Sequence, residues 1–344
     1  MPSKFILHSQ PWISNKVIRK VNECLKTREI SYGNLSAELA SRISSTILKK
    51  HTILTGNGSA GLYIILTALK IGTGDEVVLP SYVCDSVMHA VRFTGATPIL
   101  CDIGDSWVME YSNVKQVVTS QTKAIVLVHL LGINAWDDAY RSFKVPIIED
   151  VCQAFGTQNS TRGPGTYTQF AFGSFHGTKC IGAGLGGFAS FGDEEIFDEA
   201  FNRRSVWKIL GTMSDIHSAI ALSILEDYDQ VLEKRSNIAK KYFDFLPEKA
   251  TERLKKCSTR SMFFRFPIWS DIGWDKVSTL FESNKIAARR GVDALIHRNL
   301  GFSDNNFPKS VEAFDKTVSI PILPQMSEQD VERVCIIASR IYDL

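Results

Sequence analysis

Between residues 52 and 191 the chain repeats one pattern, a short and nearly continuous apolar run followed by a helical stretch. The runs lie at 52–55, 76–80, 98–102, 123–129, 145–150, 170–174 and 187–191. A strand that alternates apolar and polar residues has one face in water, whereas a strand apolar throughout is covered on both faces. Runs of the second kind, separated by helices, predict a mostly parallel sheet with helices on either side, an α/β fold. The apolar spacing predicts helices over 12–27, 36–49, 62–69 and 84–94.

After about residue 217 the pattern changes. Residues 217–246 predict one long helix or two in tandem, 261–267 and 317–322 predict short strands, and 327–342 predicts a closing helix. Ser327 with Asp330 three residues on resembles a capping box. The 344 residues suffice for a large domain, expected over 1–230, and a smaller α+β domain over 231–344. A net charge of +2 gives no electrostatic reason to expect a nucleic-acid partner. Seven cysteines without C-x-x-C pairs predict reduced thiols in a cytoplasmic protein, with neither a disulfide framework nor a metal site. No apolar stretch predicts a signal peptide or a membrane span.

Two segments carry the chemistry. Residues 145–150 are an apolar run ending in an acid, Asp150, and 174–179 place Ser174 five residues before Lys179 among small and apolar residues. A lysine is normally solvated, but a desolvated amine is a competent nucleophile. An acid at a strand end lies where open α/β sheets collect ligands. Such a lysine and such an acid are what pyridoxal 5'-phosphate (PLP) chemistry needs: an amine to form a Schiff base with the aldehyde, and a carboxylate to keep the pyridine nitrogen protonated. Gly58-Ser59-Ala60 opens a helix after a strand, a seat for phosphate on free N–H groups.

Gln10-Pro11-Trp12, Gly58-Ser59-Ala60, Gly72-x-Gly74-Asp75-Glu76-Val77-x-x-Pro80-Ser81, Val128-His129-Leu130-x-Gly132, Glu149-Asp150-x-x-Gln153-Ala154-x-Gly156, Ser174-Phe175-x-x-x-Lys179 and Leu323-Pro324-Gln325-Met326-Ser327-Glu328 occur in that order. In these motifs the chain resembles the DegT/DnrJ/EryC1/StrS family of PLP-dependent sugar aminotransferases, along nearly its whole length. The resemblance implies the aspartate-aminotransferase-like fold (PLP fold type I), with Lys179 as the Schiff-base lysine, Asp150 on the ring nitrogen and Gln153 beside the ring hydroxyl. It puts Gly58, Ser59, Ala60 and Ser174 around the cofactor phosphate. The reaction it implies is transfer of an amino group from glutamate to a keto sugar, expected to be nucleotide-linked, by a homodimer that feeds polysaccharide or glycosylated-metabolite synthesis. His129 matches the family's Val-His-Leu motif and has a structural role as its simplest alternative.

The chain departs from the family pattern twice. Where relatives carry an aromatic residue to stack on the ring, this chain has Cys84, with Tyr82 nearby. Where they carry an Asn-x-Arg pair that reaches the partner's cofactor phosphate, it has Leu210-Gly211-Thr212, so that Arg203, Arg204 or Lys208 is expected to take over or the phosphate to be satisfied within one subunit. His176, Tyr82 and Arg290 are the candidate substrate residues, and Arg289 and the stretch 296–310 are further candidates for the acceptor. Two alternatives stand beside the transaminase: a PLP-dependent sugar dehydratase, against which Lys179 argues because such relatives typically carry histidine there, and a binding or regulatory protein of the same fold without turnover.

Overall fold

The computed structural model describes residues 4–156, 162–203 and 210–343. Seven strands form the main sheet: β1 (His51–Thr55), β2 (Glu76–Pro80), β3 (Thr97–Cys101), β4 (Thr122–Val128), β5 (Ile147–Asp150), β6 (Phe170–Ser174) and β7 (Gly187–Phe191). Their order across the sheet is β1-β7-β6-β5-β4-β2-β3. β2 to β6 pair in parallel, and β7 is antiparallel to both β6 and β1. In β4 every residue but Lys123 is buried, as the continuous apolar run requires of a strand covered on both faces. Each such Val, Ile or Leu contributes roughly 1.5–3 kcal/mol by leaving water.

The Gly58–Ala68 helix crosses the sheet beside β7 and β6 and begins four residues before the apolar stretch that announced it. Its approach is close enough to need glycine: a Cβ on Gly61 would lie 2.3 Å from the Phe188 carbonyl oxygen.

A second sheet, antiparallel and in the order β8-β10-β9, is made of β8 (Phe266–Trp269), β9 (Arg289–Arg290) and β10 (Thr317–Ile320). The strand expected over 261–267 is displaced to Phe266–Trp269. The residues before it dock elsewhere: Met262 N–H donates to Gly132 O and Arg265 N–H to Leu131 O, and Phe263 turns through a positive φ of 51°. The long helical stretch resolves into two helices, Asp215–Glu226 and Tyr228–Phe245. Asp227 sits at the break, where its carboxylate accepts from Trp12 Nε1, Ser14 Oγ and Lys16 Nζ at 3.3, 3.1 and 2.7 Å. The closing helix, Glu328–Ser339, carries the Ser327–Asp330 capping box.

The position expected to divide the two parts, 230/231, falls within the Tyr228–Phe245 helix. The amino-terminal segment also bridges the parts: Ile6 N–H donates to Lys285 O and accepts on its own carbonyl from Ala287 N–H, both at 2.9 Å. Among the described residues no helix is long and apolar enough to cross a membrane.

Candidate active site

The carboxyl ends of β2, β4, β5 and β6 open on a cavity of about 510 Å³, closed on its far side by residues 289–294 of the smaller part and by Ser9. Asp150 is the last residue of β5, 5% exposed, and its Oδ1 accepts from Cys152 N–H at 2.9 Å. Burial pushes its carboxyl above the ordinary carboxylate range, against the Cys152 hydrogen bonds and the nearby Lys179 and His129. A cationic N–H placed against Asp150 would offset that burial cost and hold it ionised.

Lys179 sits in the loop that joins the antiparallel strands β6 and β7. The loop is built on its own backbone: Phe175 N–H donates to Gly186 O at 2.9 Å, Ala183 N–H to Phe175 O at 2.8 Å and Lys179 N–H to His176 O at 2.8 Å. The Lys179 amine lies 5.8 Å from the centroid of the buried Phe264 ring and lines the same cavity as Asp150. Ser174, at the end of β6, and Gly58 and Ser59, at the start of the helix, line it as well. Gly58 must be glycine for this convergence, because a Cβ there would meet Ser174 Cβ at 3.1 Å and Cys152 Sγ at 3.2 Å.

The expected phosphate seat differs in one residue. Asn57 caps the helix, and its Oδ1 accepts from Ala60 N–H at 2.9 Å. Ala60 is buried behind Gly58 and Ser59 and does not line the cavity. An anion here would meet Gly58 and Ser59 first and would have to displace the Asn57 cap to reach the third N–H. Gln153 lines the cavity and is oriented by Leu131 N–H, which donates to its Oε1 at 2.8 Å.

Beneath Asp150, on the opposite face of the sheet, Glu149 is fully buried. It accepts from Gly165 N–H at 2.7 Å and from Tyr167 and Thr168 N–H at 2.9 Å each. Ala135 N–H donates to His129 Nδ1 at 3.0 Å, so the imidazole proton is on Nε2, where it donates to Glu149 Oε2 at 3.2 Å. Burial would raise the Glu149 carboxyl, but the His129 hydrogen bond, Lys49 and the Gly165 N–H hold it below its ordinary value. His129 thus has both ring nitrogens engaged in the scaffold.

The substrate candidates separate. His176 is exposed on the Lys179 loop, lines the cavity, and hydrogen-bonds Thr178 Oγ1 through Nδ1 at 3.0 Å. Tyr82 does not reach the cavity. It is fully buried, its hydroxyl 3.4 Å from Ala313 O and packed so tightly on Gly291 that a Cβ there would lie 2.1 Å from it. Tyr82 is therefore an interior contact between the main sheet and the smaller part, outside the cavity lining. Arg290 edges the cavity, but its guanidinium donates to Phe314 O at 2.9 Å and lies 4.4 Å over the Phe314 ring. Within the stretch 296–310, His297 is engaged in packing: its Nδ1 bonds Ser81 Oγ at 2.6 Å, its Nε2 bonds Asp304 at 2.9 Å, and its ring stacks on Phe307.

Cys84 follows β2, is exposed and lines the cavity at the place expected for a stacking ring. Cys152 lines it too. Nothing beyond its place two residues after Asp150 marks it in the sequence. Leu210 and Gly211 lie against the turn before the Gly58–Ala68 helix, where Gly56 N–H donates to Gly211 O at 3.0 Å. Arg203 is paired with Glu199 at 2.7 Å, and Arg204 and Lys208 fall outside the described residues. The cavity residue with the least sequence signal is Arg265, just before β8.

A lysine, a buried acid on a parallel strand end and a helix start, brought to one cavity by this sheet order, define a class of enzyme rather than a single activity. Residues 11–338 match the DegT/DnrJ/EryC1/StrS aminotransferase family, and the chain belongs to that family. It is 31% identical over 257 residues to the GDP-perosamine synthase of Escherichia coli O157:H7, covering 70% of this chain and 71% of that protein. Its fold superimposes on DesI, solved in the presence of its TDP-sugar product, with a TM-score of 0.87 at 20% identity over 99% of this chain and 93% of that one. NtdA from Bacillus subtilis, solved with bound cofactor PMP, gives a TM-score of 0.80 at 21% identity over 96% and 83%.

Proposed function

We propose that the protein is a PLP-dependent sugar aminotransferase that takes an amino group from glutamate and gives it to a nucleotide-linked keto sugar. The observation that carries this reading is the convergence of Lys179, Asp150, Ser174 and the Gly58–Ser59 helix start on one cavity. The residues fit the cofactor: the cavity offers an amine for its aldehyde, a buried carboxylate for its ring N–H, and a hydroxyl with a helix start for its phosphate. When bound, PLP supplies an aldehyde carbon and a ring that accepts electrons.

This chain's residues do the rest. Lys179 would hold the aldehyde, and its freed Nζ would take the proton that the donor carbon loses and supply the one that the acceptor carbon gains. Asp150 would keep the ring nitrogen protonated through a charge-assisted hydrogen bond. Gln153, fixed by the Leu131 N–H, sets the position of the ring edge. The GDP-sugar and TDP-sugar in the names of two similar proteins support a nucleotide-linked acceptor. A homodimer is part of the same reading: Phe5, Leu7, Ile13, Ile18, Leu25 and Leu185 leave large apolar side chains on the surface.

The test is to load the protein with PLP, add L-glutamate and a panel of GDP- and TDP-linked keto sugars, and follow 2-oxoglutarate and aminated sugar by mass spectrometry. The reading predicts equimolar formation of both. Sugar losing a hydroxyl without gaining nitrogen would make the protein a dehydratase, and no product from a loaded protein would leave a binding role.

A further inference from the structure

The cavity takes a wall from each part of the chain. Residues 83–87, which lead from β2 into the Asp85–Phe93 helix, form one, and residues 289–294 of the smaller part form the other. Behind both walls runs a buried chain of hydrogen bonds made by residues that do not line the cavity. Ser81 follows the last residue of β2 and precedes Cys84 by three positions, and His297 follows Ala294 by three. Both side chains are fully buried, and His297 Nδ1 bonds Ser81 Oγ at 2.6 Å. The backbone joins in: Ile296 N–H donates to Ser81 O at 3.1 Å, and His297 N–H to Ser81 Oγ at 3.3 Å.

The far side of the imidazole is fixed as firmly. His297 Nε2 bonds Asp304 Oδ1 at 2.9 Å, and Arg298 grips both oxygens of the same carboxylate through Nε and Nη2, at 2.9 Å each. The Arg298 hydrogen bonds, and then that of His297, lower the Asp304 carboxyl to about 2, so it is ionised and can only accept. Nε2 therefore carries a proton, and in the neutral ring Nδ1 takes the hydroxyl proton of Ser81. The ring also stacks on Phe307, with centroids 4.5 Å apart. An imidazole held at both nitrogens and on one face has a single position in which to hold Ser81.

Two further contacts make this a joint between the walls. Tyr82, between Ser81 and the first wall, packs on Gly291 of the second. Asp102, just after β3, accepts from Lys309 N–H at 2.9 Å and from Ser310 N–H at 2.8 Å. The 291–310 segment is thus pinned to the ends of two paired strands, β2 and β3. The groups proposed to hold the cofactor come from elsewhere: Asp150 from β5, Ser174 and Lys179 from β6 and the loop after it, Gly58 and Ser59 from a helix start. None of them stands on either wall.

We infer that His297 is a positioning residue for the acceptor: through Ser81 it sets the spacing of the 83–87 and 289–294 walls, and so the fit of the sugar substrate between them. This rests on the transaminase reading and adds to it a residue that acts without touching substrate or cofactor. The acceptor is the substrate affected because of its size. A nucleotide-linked sugar is much larger than glutamate and has to engage both walls at once, so it is the more sensitive to their spacing.

The experiment first reads the walls without any reaction. Spin labels go on Cys84 and on Asp293→Cys, one exposed position on each wall, in a Cys152→Ser background because Cys152 also lines the cavity. Electron paramagnetic resonance then gives the distance distribution between them in the unloaded protein, with thermal unfolding as the check on folding. Ser81→Ala and His297→Gln, whose amide can stand in for Nε2 but not for Nδ1, should widen the distribution alike, and the double variant no further. His297→Asn, which can stand in for Nδ1, should stay close to the parent. In the PLP-loaded enzyme, S81A and H297Q should raise KM for the keto sugar about 5- to 10-fold, the worth of one hydrogen bond, and leave KM for glutamate and PLP loading unchanged. A parent-like distribution in S81A, or KM values for both substrates rising together, would overturn the assignment. If wild type aminates no keto sugar, the transaminase reading fails instead, and the label distances still decide whether the joint sets the walls.

Discussion

Glu149 and Asp150 are neighbours in sequence, equally buried, and opposite in use. Glu149 points into the scaffold and has five hydrogen-bond donors on it, from His129, Gly165, Tyr167 and both the N–H and hydroxyl of Thr168, besides the charge of Lys49. Asp150 points into the cavity, and its recorded hydrogen bonds come from Cys152 alone. Consequently the first is held below its ordinary pKa in spite of burial and the second is pushed above its own by burial. A buried carboxylate that is fully partnered stabilises a fold. One left open on one side costs stability until a ligand supplies the missing cation. The same contrast separates Arg290, spent on Phe314, from Arg265, beside which His8 lies and no carboxylate pairs among the described residues.

The largest effect should come from the residue on which the open side depends. Lys179→Ala should lower turnover by about 100- to 10,000-fold, the usual span for a lost proton-transfer group, and remove the cofactor's visible band without shifting the unfolding temperature. A variant that kept the band would break the assignment. Glu149→Gln tests the closed side. Removing the anion from a buried and filled site should cost about 3–5 kcal/mol in denaturant unfolding, and an unchanged midpoint would mean that the nest does not hold the 163–168 loop.

The pH dependence has opposite signs on the two sides. Because the folded pKa of Glu149 is lowered, its stabilisation is present above its ordinary value of 4.5 and is lost as pH falls through the folded value. Wild type should therefore lose stability in acid more steeply than E149Q. Because the folded pKa of Asp150 is raised from 3.8, its contribution to the cofactor-free protein is present in acid and lost as pH rises through the folded value. Asp150→Asn should leave the unloaded protein no less stable at pH 7, while costing about 10- to 100-fold in PLP affinity or turnover through one charge-assisted hydrogen bond. Unloaded wild type and D150N with the same acid-to-neutral stability profile would contradict the open-side account.

Cys84→Phe should have the smallest effect. An aromatic ring at this exposed cavity position adds about 0.5–1.5 kcal/mol of stacking, so PLP binding should tighten up to about 10-fold or stay unchanged. A large loss of cofactor would show that the thiol has a role of its own.

How much of this was legible depends on whether the signal is local. β6 and β7 were readable to the residue because nothing but a strand buries Phe-Ala-Phe-Gly-Ser or Gly-Phe-Ala-Ser-Phe within five positions. The 261–267 segment misled because its aromatic residues are buried without being in a ladder: Met262 and Arg265 bond to the 131–132 turn, a contact no local pattern encodes. In the site, Lys179, Asp150, Ser174 and Gln153 sit in the motif that carries the family resemblance. Tyr82 was misplaced because its neighbour Cys84 faces the cavity and a one-residue turn decides the direction of each. Arg265 was invisible because it reaches the cavity only through the fold, beside His8, 257 positions away.

The most direct test of the account is where the protein joins its cofactor. The PLP-loaded protein is reduced with borohydride, which makes the lysine linkage permanent, and digested for peptide mapping by mass spectrometry. The account predicts one pyridoxyl-phosphate mass increment, on the peptide containing Lys179. An increment on another lysine, or none from a protein that has bound PLP, would contradict it.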